Sequence, residues 1–268
     1  MGRIIAVANQ KGGVGKTTTA VNLSACLAEA GKRVLLVDVD PQGNATSGLG
    51  IERKLLASSV YELLLEDMSP VQVMVQTVVK GLWVVPATID LAGAEIELVP
   101  RISRENRLKR AFQGVRGDFD FVIIDCPPSL GLLTINALTA ADSILIPIQC
   151  EYYALEGLTQ LMETFKLVRE ALNPNLEVEG VVLTMFDGRT NLSIQVVDDV
   201  KKYFKGKVYK SIITRNVRLS EAPSHGQPIT VYDPRSKGAE AYQELAREVI
   251  EHVEERAGQG SRSADSRG

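Results

Sequence analysis

The chain has 268 residues, with 30 lysines and arginines against 33 aspartates and glutamates, and its formal net charge is −3. This balance excludes a protein coated with positive charge, while 45% hydrophobic and 24% charged residues are ordinary for a globular protein. Three widely separated cysteines without a CxxC pair exclude a disulfide framework or a zinc site that can be read from spacing. The length suffices for one large α/β domain.

Short apolar runs alternate with longer helical patterns along the chain. The runs are nearly continuous, as is typical of strands buried on both faces of a parallel sheet. Between them, a period near 3.6 predicts helices over 18–30, 155–172 and 191–204. The predicted strands are Ile4–Ala8, Val34–Val37, Leu82–Val85, Phe121–Ile124, Ile144–Ile148 and Val181–Leu183. We therefore expect a single doubly wound α/β fold, with a mostly parallel sheet flanked by helices and right-handed crossovers.

The domain organisation is simple, because the sequence has no internal repeat and no linker rich in proline or glycine. Residues 1–257 are predicted to form one domain, and the small, polar residues 258–268 a disordered tail. No signal peptide is expected at the N-terminus, and no apolar stretch approaches the roughly 18–20 residues of a membrane-spanning helix. We therefore expect a cytoplasmic protein without a membrane partner.

A glycine-rich segment lies between the first predicted strand and the first predicted helix. Glycines let backbone N–H groups turn towards phosphates, and the helix N-terminus adds partial positive charge. A strict P-loop would have glycine where this chain has Gln10, so the match is to a variant form. We expect Lys16 to reach the β- and γ-phosphates and the Thr17 hydroxyl to ligate Mg²⁺. The segment reads Lys11-Gly12-Gly13-Val14-Gly15-Lys16-Thr17-Thr18.

Lys11 is the unusual residue of this loop. A second lysine at the front is hard to accommodate on the same phosphates, which favours contact with a nucleotide held by a partner subunit. A tight strand-to-helix turn without any ligand is the alternative. Two lysines and three consecutive threonines disfavour that alternative.

Acidic residues end two further predicted strands. The second strand runs into Asp38 and Asp40, and Phe121–Ile124 is followed by Asp125. Ligands of α/β sheets bind at the carboxyl ends of strands, and four apolar residues followed by Asp form the Walker B pattern that positions Mg²⁺ and its water. One acid at a strand end could be only a helix cap, but three elements in this order indicate a nucleotide site. The metal set is Thr17 directly, with Asp38, Asp40 and Asp125 acting through water.

Four segments together resemble the ParA/Soj group of deviant Walker A ATPases, which belongs to the MinD/ParA superfamily of P-loop NTPases. The ATPases of this group segregate chromosomes or plasmids. The likeness runs from Gly2 to about Val253 and implies an ATPase that uses ATP and Mg²⁺ and is slow without its partner. It further implies an ATP-bound homodimer, non-specific binding to double-stranded DNA on the nucleoid, and stimulation by a ParB-type partner. The segments are Lys11–Thr18, Asp38–Asn44, Asp125–Ser129 and Arg215–Ser224.

The resemblance also implies roles for single residues. Lys11 would cross to the ATP of the other subunit, and Gly12 would have to stay small at the dimer interface. Asp40 would orient or activate the attacking water, with Asp38 nearby and Asp125 on the metal side. The catalytic set is Lys11, Lys16, Asp40 and Asp125. The ATP-binding set, whose last two members would hold the adenine, is Lys11, Gly12, Gly13, Val14, Gly15, Lys16, Thr17, Thr18, Thr214 and Asn216.

The sequence departs from three relatives of this group. Plasmid-type ParA proteins have a helix-turn-helix region before the P-loop, whereas here the loop begins at Lys11, so operator-specific repression is not expected. MinD-like proteins end in a basic amphipathic membrane helix, whereas this chain ends in a glycine- and serine-containing tail. The nitrogenase iron protein needs paired cysteines, and Cys126 has no second cysteine at a suitable spacing.

Charge is distributed unevenly along the chain. The stretches 186–220 and 101–117 each have a local charge of +5, so the remainder carries −13. A nucleic-acid patch on an acidic protein would have this distribution, and solvated helix faces are the alternative. The resemblance favours the first stretch, where Arg189 and Arg218 match positions used for non-specific DNA contact. The DNA-binding candidates are Arg189, Lys201, Lys202, Arg215 and Arg218.

Two other functions remain as alternatives at this point. One is a MinD-like positioning ATPase of the same fold that acts on a membrane or protein scaffold rather than on DNA. The other, a metabolic kinase or ligase, is disfavoured because no motif for a separate acceptor pocket is present. In either ATPase function, hydrolysis should be slow, since a water-positioning acid without an added positive group leaves transition-state charge poorly stabilised.

Overall fold

The structure, a computed structural model, describes residues 2–151 and 156–265, without the side chains of 156–157 and 257–265. Eight strands form one sheet in the order β3-β4-β2-β5-β1-β6-β7-β8. Neighbouring strands are parallel except β3 and β4. The strands are β1 Arg3–Val7, β2 Val34–Asp38, β3 Val75–Gln76, β4 Leu82–Val85, β5 Phe121–Asp125, β6 Ser143–Gln149, β7 Glu177–Phe186 and β8 Val208–Thr214.

Helices cover both faces of the sheet, and each face has its own apolar core. Successive residues of β1 point to opposite faces, so Ile4 joins one core and Ile5 the other. The helices are α1 Lys16–Glu29, α2 Asn44–Gly48, α3 Val60–Leu65, α4 Pro70–Val73, α5 Leu91–Leu98, α6 Arg107–Phe112, α7 Leu132–Ala140, α8 Glu156–Ala171, α9 Asn191–Phe204, α10 Val217–Glu221, α11 Ile229–Tyr232 and α12 Lys237–Asp265. Helices α1 and α12 lie together on the Ile5 face, and α7, α8 and α9 lie on the other.

The predicted fold class is confirmed, and each of the six predicted strands overlaps an observed strand. The sequence missed β8 because an edge strand alternates between buried and exposed residues, so that polar Lys210 and Ser211 interrupt its apolar pattern. It also missed β3, whose two residues are too few to show any period. The prediction therefore succeeded for strands buried on both faces and failed at the sheet edges.

The last helix is longer than the sequence suggests. Helix α12 continues to Asp265, into the segment predicted to be disordered, and residues 266–268 lie outside the described residues. A packed helix can continue without apolar residues, because each added residue gains a backbone hydrogen bond after nucleation is complete. The division of the chain at residue 257 stays a prediction. Among the described residues, no helix combines the length and the apolar character needed to cross a membrane.

Candidate active site

The sheet order places three sequence-distant segments side by side at its carboxyl edge. Strand β5 lies between β1 and β2, and Asp125 at its end is in register with Val7 and with Asp38. The glycine-rich loop leaves β1 and enters α1 at Lys16. The structure therefore brings together the loop and both acidic segments that the sequence indicated.

Backbone conformation explains two of the loop glycines. Gly13 has φ +73° and Gly15 has φ +87°, a left-handed region that residues with a Cβ rarely adopt. Gly12 shows no such constraint, and apart from Gly12 itself and its two chain neighbours, no described residue has an atom within 4 Å of the position that its Cβ would occupy. The glycine at position 12 is therefore not required by the fold of the described chain.

Buried side chains anchor the loop from two directions. The Asn9 side-chain amide donates to the Pro147 carbonyl at 2.7 Å, and its oxygen accepts the Lys11 backbone N–H at 3.0 Å. From the β7 side, the Thr184 hydroxyl donates to the Val14 carbonyl at 2.8 Å. These bonds hold the loop in place before any ligand binds.

Lys16 is a buried cation in the middle of this arrangement. Its side chain is only 7% exposed, and its ammonium donates to the Lys11 carbonyl at 2.9 Å. Burial lowers the pKa of Lys16, and the nearby Asp125 carboxylate opposes that shift. A phosphate placed here would supply the negative charge that favours the protonated amine.

Asp125 is a buried acid that lacks donors. Neither of its oxygens accepts a hydrogen bond from the described residues. Burial raises the pKa of Asp125 well above its usual value, and the charge of Asp38 raises it further. The nearby Thr17 hydroxyl lowers this pKa, although the two groups do not form a hydrogen bond of good geometry. A buried carboxylate without donors is costly, and water held on a metal ion would supply them. The residues thus fit Mg²⁺, with Thr17 as a direct ligand and Asp125 bound through water.

Asp38 and Asp40 occupy different environments. Asp38 is fully buried and accepts the Thr46 hydroxyl at 2.7 Å, the Thr46 N–H at 2.8 Å and the Asp40 N–H at 3.2 Å. Burial raises the pKa of Asp38 to about 6, against the lowering effect of the Thr46 bonds. Asp40 accepts the Gln42 N–H at 2.9 Å and lines the cavity beside the loop. The geometry therefore favours Asp40 and Asp125 for the metal and water, and Asp38 for holding the segment that carries Asp40.

Two adjoining cavities meet at the loop. One, about 420 Å³, is lined by the glycine-rich loop and Asp40, and the other, about 440 Å³, is lined by Thr214 and Asn216. Gly15 and Thr18 line both. Two cavities of this size are suited to an elongated small molecule. A larger cavity, about 820 Å³, shares Gln42 with the phosphate cavity and is lined by none of the predicted phosphate ligands.

Similarity to known proteins identifies the family. A family model described as an AAA domain matches residues 2–178. The sporulation initiation inhibitor protein Soj of Bacillus subtilis is 68% identical over 249 residues, which cover 93% of this chain and 98% of Soj. The chromosome partitioning protein ParA of Myxococcus xanthus is 58% identical over 250 residues, which cover 93% and 88% of the two chains. The chain belongs to the ParA/Soj family of chromosome-partitioning ATPases. The resemblance and the enzyme class that the sequence predicted are thereby confirmed.

Solved structures agree with this family in fold and in ligands. A protein named cobyrinic acid a,c-diamide synthase from Mycobacterium smegmatis, with bound ADP and magnesium, superposes with a TM-score of 0.84 at 45% identity, over 95% of this chain and 96% of that one. The septum site-determining protein MinD of Pyrococcus horikoshii, complexed with Mg-ADP, gives 0.78 at 27% identity, over 93% and 96%. These ligands agree with the predicted cofactors, ATP and Mg²⁺.

Several residues of the site were missed from sequence. Thr184 and Met185 end a strand that was predicted, and the rule that ligands bind at carboxyl ends of strands could have indicated them. Thr46 and Tyr242 had no such signal. Tyr242 reaches the first turn of α1, next to the loop, only through tertiary packing, with its hydroxyl 3.2 Å from that of Thr19, and both groups are buried. Contacts of this kind are set by the fold rather than by a motif.

The DNA-binding candidates fall into two groups. Three arginines lie at the carboxyl edge near β7 and β8, and we call Arg189, Arg215 and Arg218 the arginine edge. Lys201 and Lys202 lie in the last turn of α9, about 16 Å along the helix from its start near Arg189. Every member of the arginine edge is more than half exposed and pairs with an acid. The pairs are Arg189 with Asp187 at 2.6 Å, Arg215 with Glu151 at 3.0 Å and Arg218 with Glu221 at 2.9 Å.

The second basic stretch, 101–117, contributes several of its bases to contacts within the fold. Arg107 is buried, donates to the Leu64 carbonyl at 2.7 Å and pairs with Asp67. Arg116 pairs with Asp142. Half of the bases in this stretch bond to other parts of the protein, since Arg104 also donates to a backbone carbonyl. The structure thus favours the arginine edge over this stretch as a nucleic-acid contact.

Proposed function

We propose that the chain is an ATP-dependent dimerisation switch for chromosome or plasmid partitioning. As the ATP dimer it binds double-stranded DNA without sequence preference, and a ParB-type partner stimulates hydrolysis and release. The observation that carries this proposal is Gly12, an exposed glycine that no contact or positive φ among the described residues requires. A second subunit packed closely against the loop would give a physical reason for a residue without a side chain at position 12.

The nucleotide site has the groups needed for phosphoryl transfer to water. Lys16 and the loop N–H groups would hold the β- and γ-phosphates, and Thr17 and Asp125 would hold Mg²⁺. Bound Mg²⁺ would neutralise charge on those phosphates. Asp40, fixed through the Gln42 N–H, would orient the attacking water and accept its proton. No described side chain except Lys16 adds positive charge inside the cavity, which supports slow hydrolysis without a partner.

Lys11 is the group that we assign to the other subunit. Its backbone is fixed at both polar atoms, the N–H by Asn9 and the carbonyl by Lys16. Its side chain makes no ion pair or hydrogen bond among the residues that the structure describes. A fixed backbone with an uncommitted ammonium is suited to reaching a phosphate across an interface.

The arginine edge is the part that we assign to DNA. Its guanidinium groups lie in solvent, where DNA phosphates can exchange with the acids that now pair with them. Phosphate contacts carry no sequence information and weaken steeply with salt. One such edge would bind weakly, and two edges in a dimer raise the affinity through effective concentration. ATP would thereby control DNA binding and a nucleoid location.

DNA retardation tests this function directly. The protein with ATP and Mg²⁺ should retard random duplex DNA at low salt, and the protein with ADP should not. Arg189→Ala and Arg218→Ala should weaken this binding, whereas Arg110→Ala, at an exposed base outside the edge, should not. Binding to anionic vesicles instead of DNA would favour the MinD-like alternative and overturn the proposal.

A further inference from the structure

Met185 has an unusual backbone for its side chain. Its φ is +51°, and Asp67 and Ser103 are the other described residues with positive φ that are not glycine. Aspartate and serine have short polar side chains that can bond to the nearby backbone. The Met185 sulfur instead accepts the side-chain amide of Gln149 at 3.2 Å. A conformation of this kind persists only where the surrounding structure holds it, and such residues concentrate at functional sites.

Met185 lies at the boundary of the two cavities that form the nucleotide site. It lines the phosphate cavity and also the cavity of Thr214 and Asn216, as Gly15 and Thr18 do. With phosphates in one cavity and a base in the other, the sugar that joins them has to cross this boundary. Met185 is therefore placed to contact the ribose of a bound nucleotide.

The residues on either side of Met185 connect the loop to the arginine edge. Before it, Thr184 donates to the Val14 carbonyl of the loop. After it, the Phe186 carbonyl accepts the Arg215 N–H at 3.2 Å. The pairing of β7 with β8 is irregular between Leu183 and Phe186, so Met185 lies at an irregularity near the end of β7.

Asp187 extends this connection. It binds the Arg189 guanidinium through both carboxylate oxygens, at 2.8 and 2.6 Å, and accepts the Arg189 N–H at 3.1 Å. Arg215 is close enough to help lower the pKa of Asp187 to about 2, after the larger effect of the Arg189 bonds. The direction in which the chain leaves Met185 therefore sets the positions of two of the three arginines.

We propose that Met185 is a positioning residue that couples the bound nucleotide to the arginine edge. Its side chain contacts the ribose, and its left-handed backbone directs residues 186–189. A nucleotide that presses on Met185 shifts the irregular end of β7, and so changes the presentation of Arg189 and Arg215. The coupling rests on the proposed ATP-dependent DNA binding, whereas the ribose contact does not.

Four variants separate the effect of the Met185 side chain from the effect of its left-handed backbone. Met185→Leu keeps the size, Met185→Ala removes the contact and keeps the left-handed strain, and Met185→Gly removes both. Ser103→Gly makes the same backbone change at a left-handed residue outside the site. Each variant is measured for its Kd with a fluorescent ATP analogue and for the ratio of its DNA affinities in ATP and in ADP.

The expected results differ between variants. Met185→Leu and Ser103→Gly should stay within about threefold of wild type in both measurements, a difference of less than about 0.7 kcal/mol. Met185→Ala should raise the nucleotide Kd about tenfold, which corresponds to about 1.4 kcal/mol. Met185→Gly should raise it equally and should also reduce the ATP-to-ADP ratio of DNA affinity well below that of Met185→Ala, because glycine lets residues 186–189 move independently of the ligand.

Three outcomes overturn parts of the account separately. An unchanged nucleotide Kd in Met185→Ala contradicts the ribose contact. An equal ATP-to-ADP ratio in Met185→Gly and Met185→Ala contradicts the coupling. A wild-type protein without ATP-dependent DNA binding contradicts the proposed function and the coupling together, while the nucleotide Kd still decides the contact. Melting temperatures within about 4 °C of wild type verify folding, and Met185→Asn, which tolerates positive φ, replaces the glycine variant if that variant does not fold.

Discussion

The nucleotide site and the arginine edge lie at the same end of one sheet, yet the charged groups are buried in the first and exposed to solvent in the second. In the nucleotide site, Lys16 and Asp125 are buried, and Asp125 has no donor among the described residues. At the arginine edge, every guanidinium lies in solvent beside an acid. Buried charges without partners require a ligand, whereas exposed pairs exchange partners at little cost. The first region is therefore suited to tight, specific binding and the second to weak, reversible contact.

The largest effect is expected from the buried cation. Lys16→Ala removes the positive charge next to the phosphates and should weaken ATP binding by about a hundredfold or more, since hydrogen bonds to charged groups contribute the most. Calorimetric titration with ATP and Mg²⁺ measures this. Lys202→Ala, at an exposed lysine far from the loop, is the control. Normal ATP affinity in Lys16→Ala would contradict the assignment of the loop to phosphate.

Asp40→Ala should separate binding from hydrolysis. Loss of the water-positioning carboxylate should lower kcat by about a hundredfold or more while ATP still binds, so the protein should accumulate as a dimer. Phosphate release and particle mass are the two measurements. Asp90→Ala, at an exposed acid outside the cavity, should behave as wild type. Rapid turnover in Asp40→Ala would show that another group activates the water.

Gly12→Val tests whether the glycine serves a second subunit. The substitution should leave ATP affinity within about threefold of wild type, because the described part of the chain leaves open space around the Cβ position of Gly12. It should prevent the ATP-bound dimer. The matched control is Gly114→Val, since Gly114 also has open space around its Cβ position and no positive φ. If Gly12→Val formed a stable dimer, the interface would have to lie elsewhere.

A pH dependence should follow from Asp125. Burial and the charge of Asp38 raise its pKa, so the folded protein holds this proton at a pH where a free aspartate has lost it. The neutral acid binds hydrated Mg²⁺ poorly, and the Mg²⁺-dependent part of the ATP affinity should therefore fall, at most about tenfold per unit, as pH decreases through that raised pKa. Asp125→Asn should lose this dependence. A Mg²⁺ effect in wild type that stays constant as the pH is lowered to the ordinary range of a free aspartate would contradict the assignment.

The smallest effects are expected at the arginine edge. Arg189→Ala should weaken DNA binding several-fold and reduce the slope of log affinity against log salt by about 1, equally for all sequences. Fluorescence anisotropy with two unrelated duplexes over a salt series measures this. Arg110→Ala should leave the slope unchanged. A loss of affinity confined to one duplex sequence would indicate base recognition, which the exposed, acid-paired arginines do not support.

The sequence predicted what depends on neighbouring residues and missed what depends on packing. The loop was recognised because its glycines and Lys16 must be adjacent to surround a phosphate. The position of Asp125 beside Asp38 could be expected from parallel strands. The hydrogen bonds from Thr46 to Asp38 could not, since they depend on how α2 is placed. The left-handed backbone of Met185 could not be expected either, although the place of this residue near the end of a predicted strand could have indicated it as part of the site.

Particle mass, measured by light scattering after size-exclusion chromatography, tests the central claim most directly. The samples are the protein without nucleotide, with ADP, and with ATP and Mg²⁺, each with and without DNA. The chain has a mass of 29.2 kDa. We expect a monomer without nucleotide and with ADP, a dimer of about twice this mass with ATP, and coelution with DNA only in the ATP sample. The same mass in all three nucleotide conditions, or coelution with DNA as an ATP-bound monomer, would contradict the account.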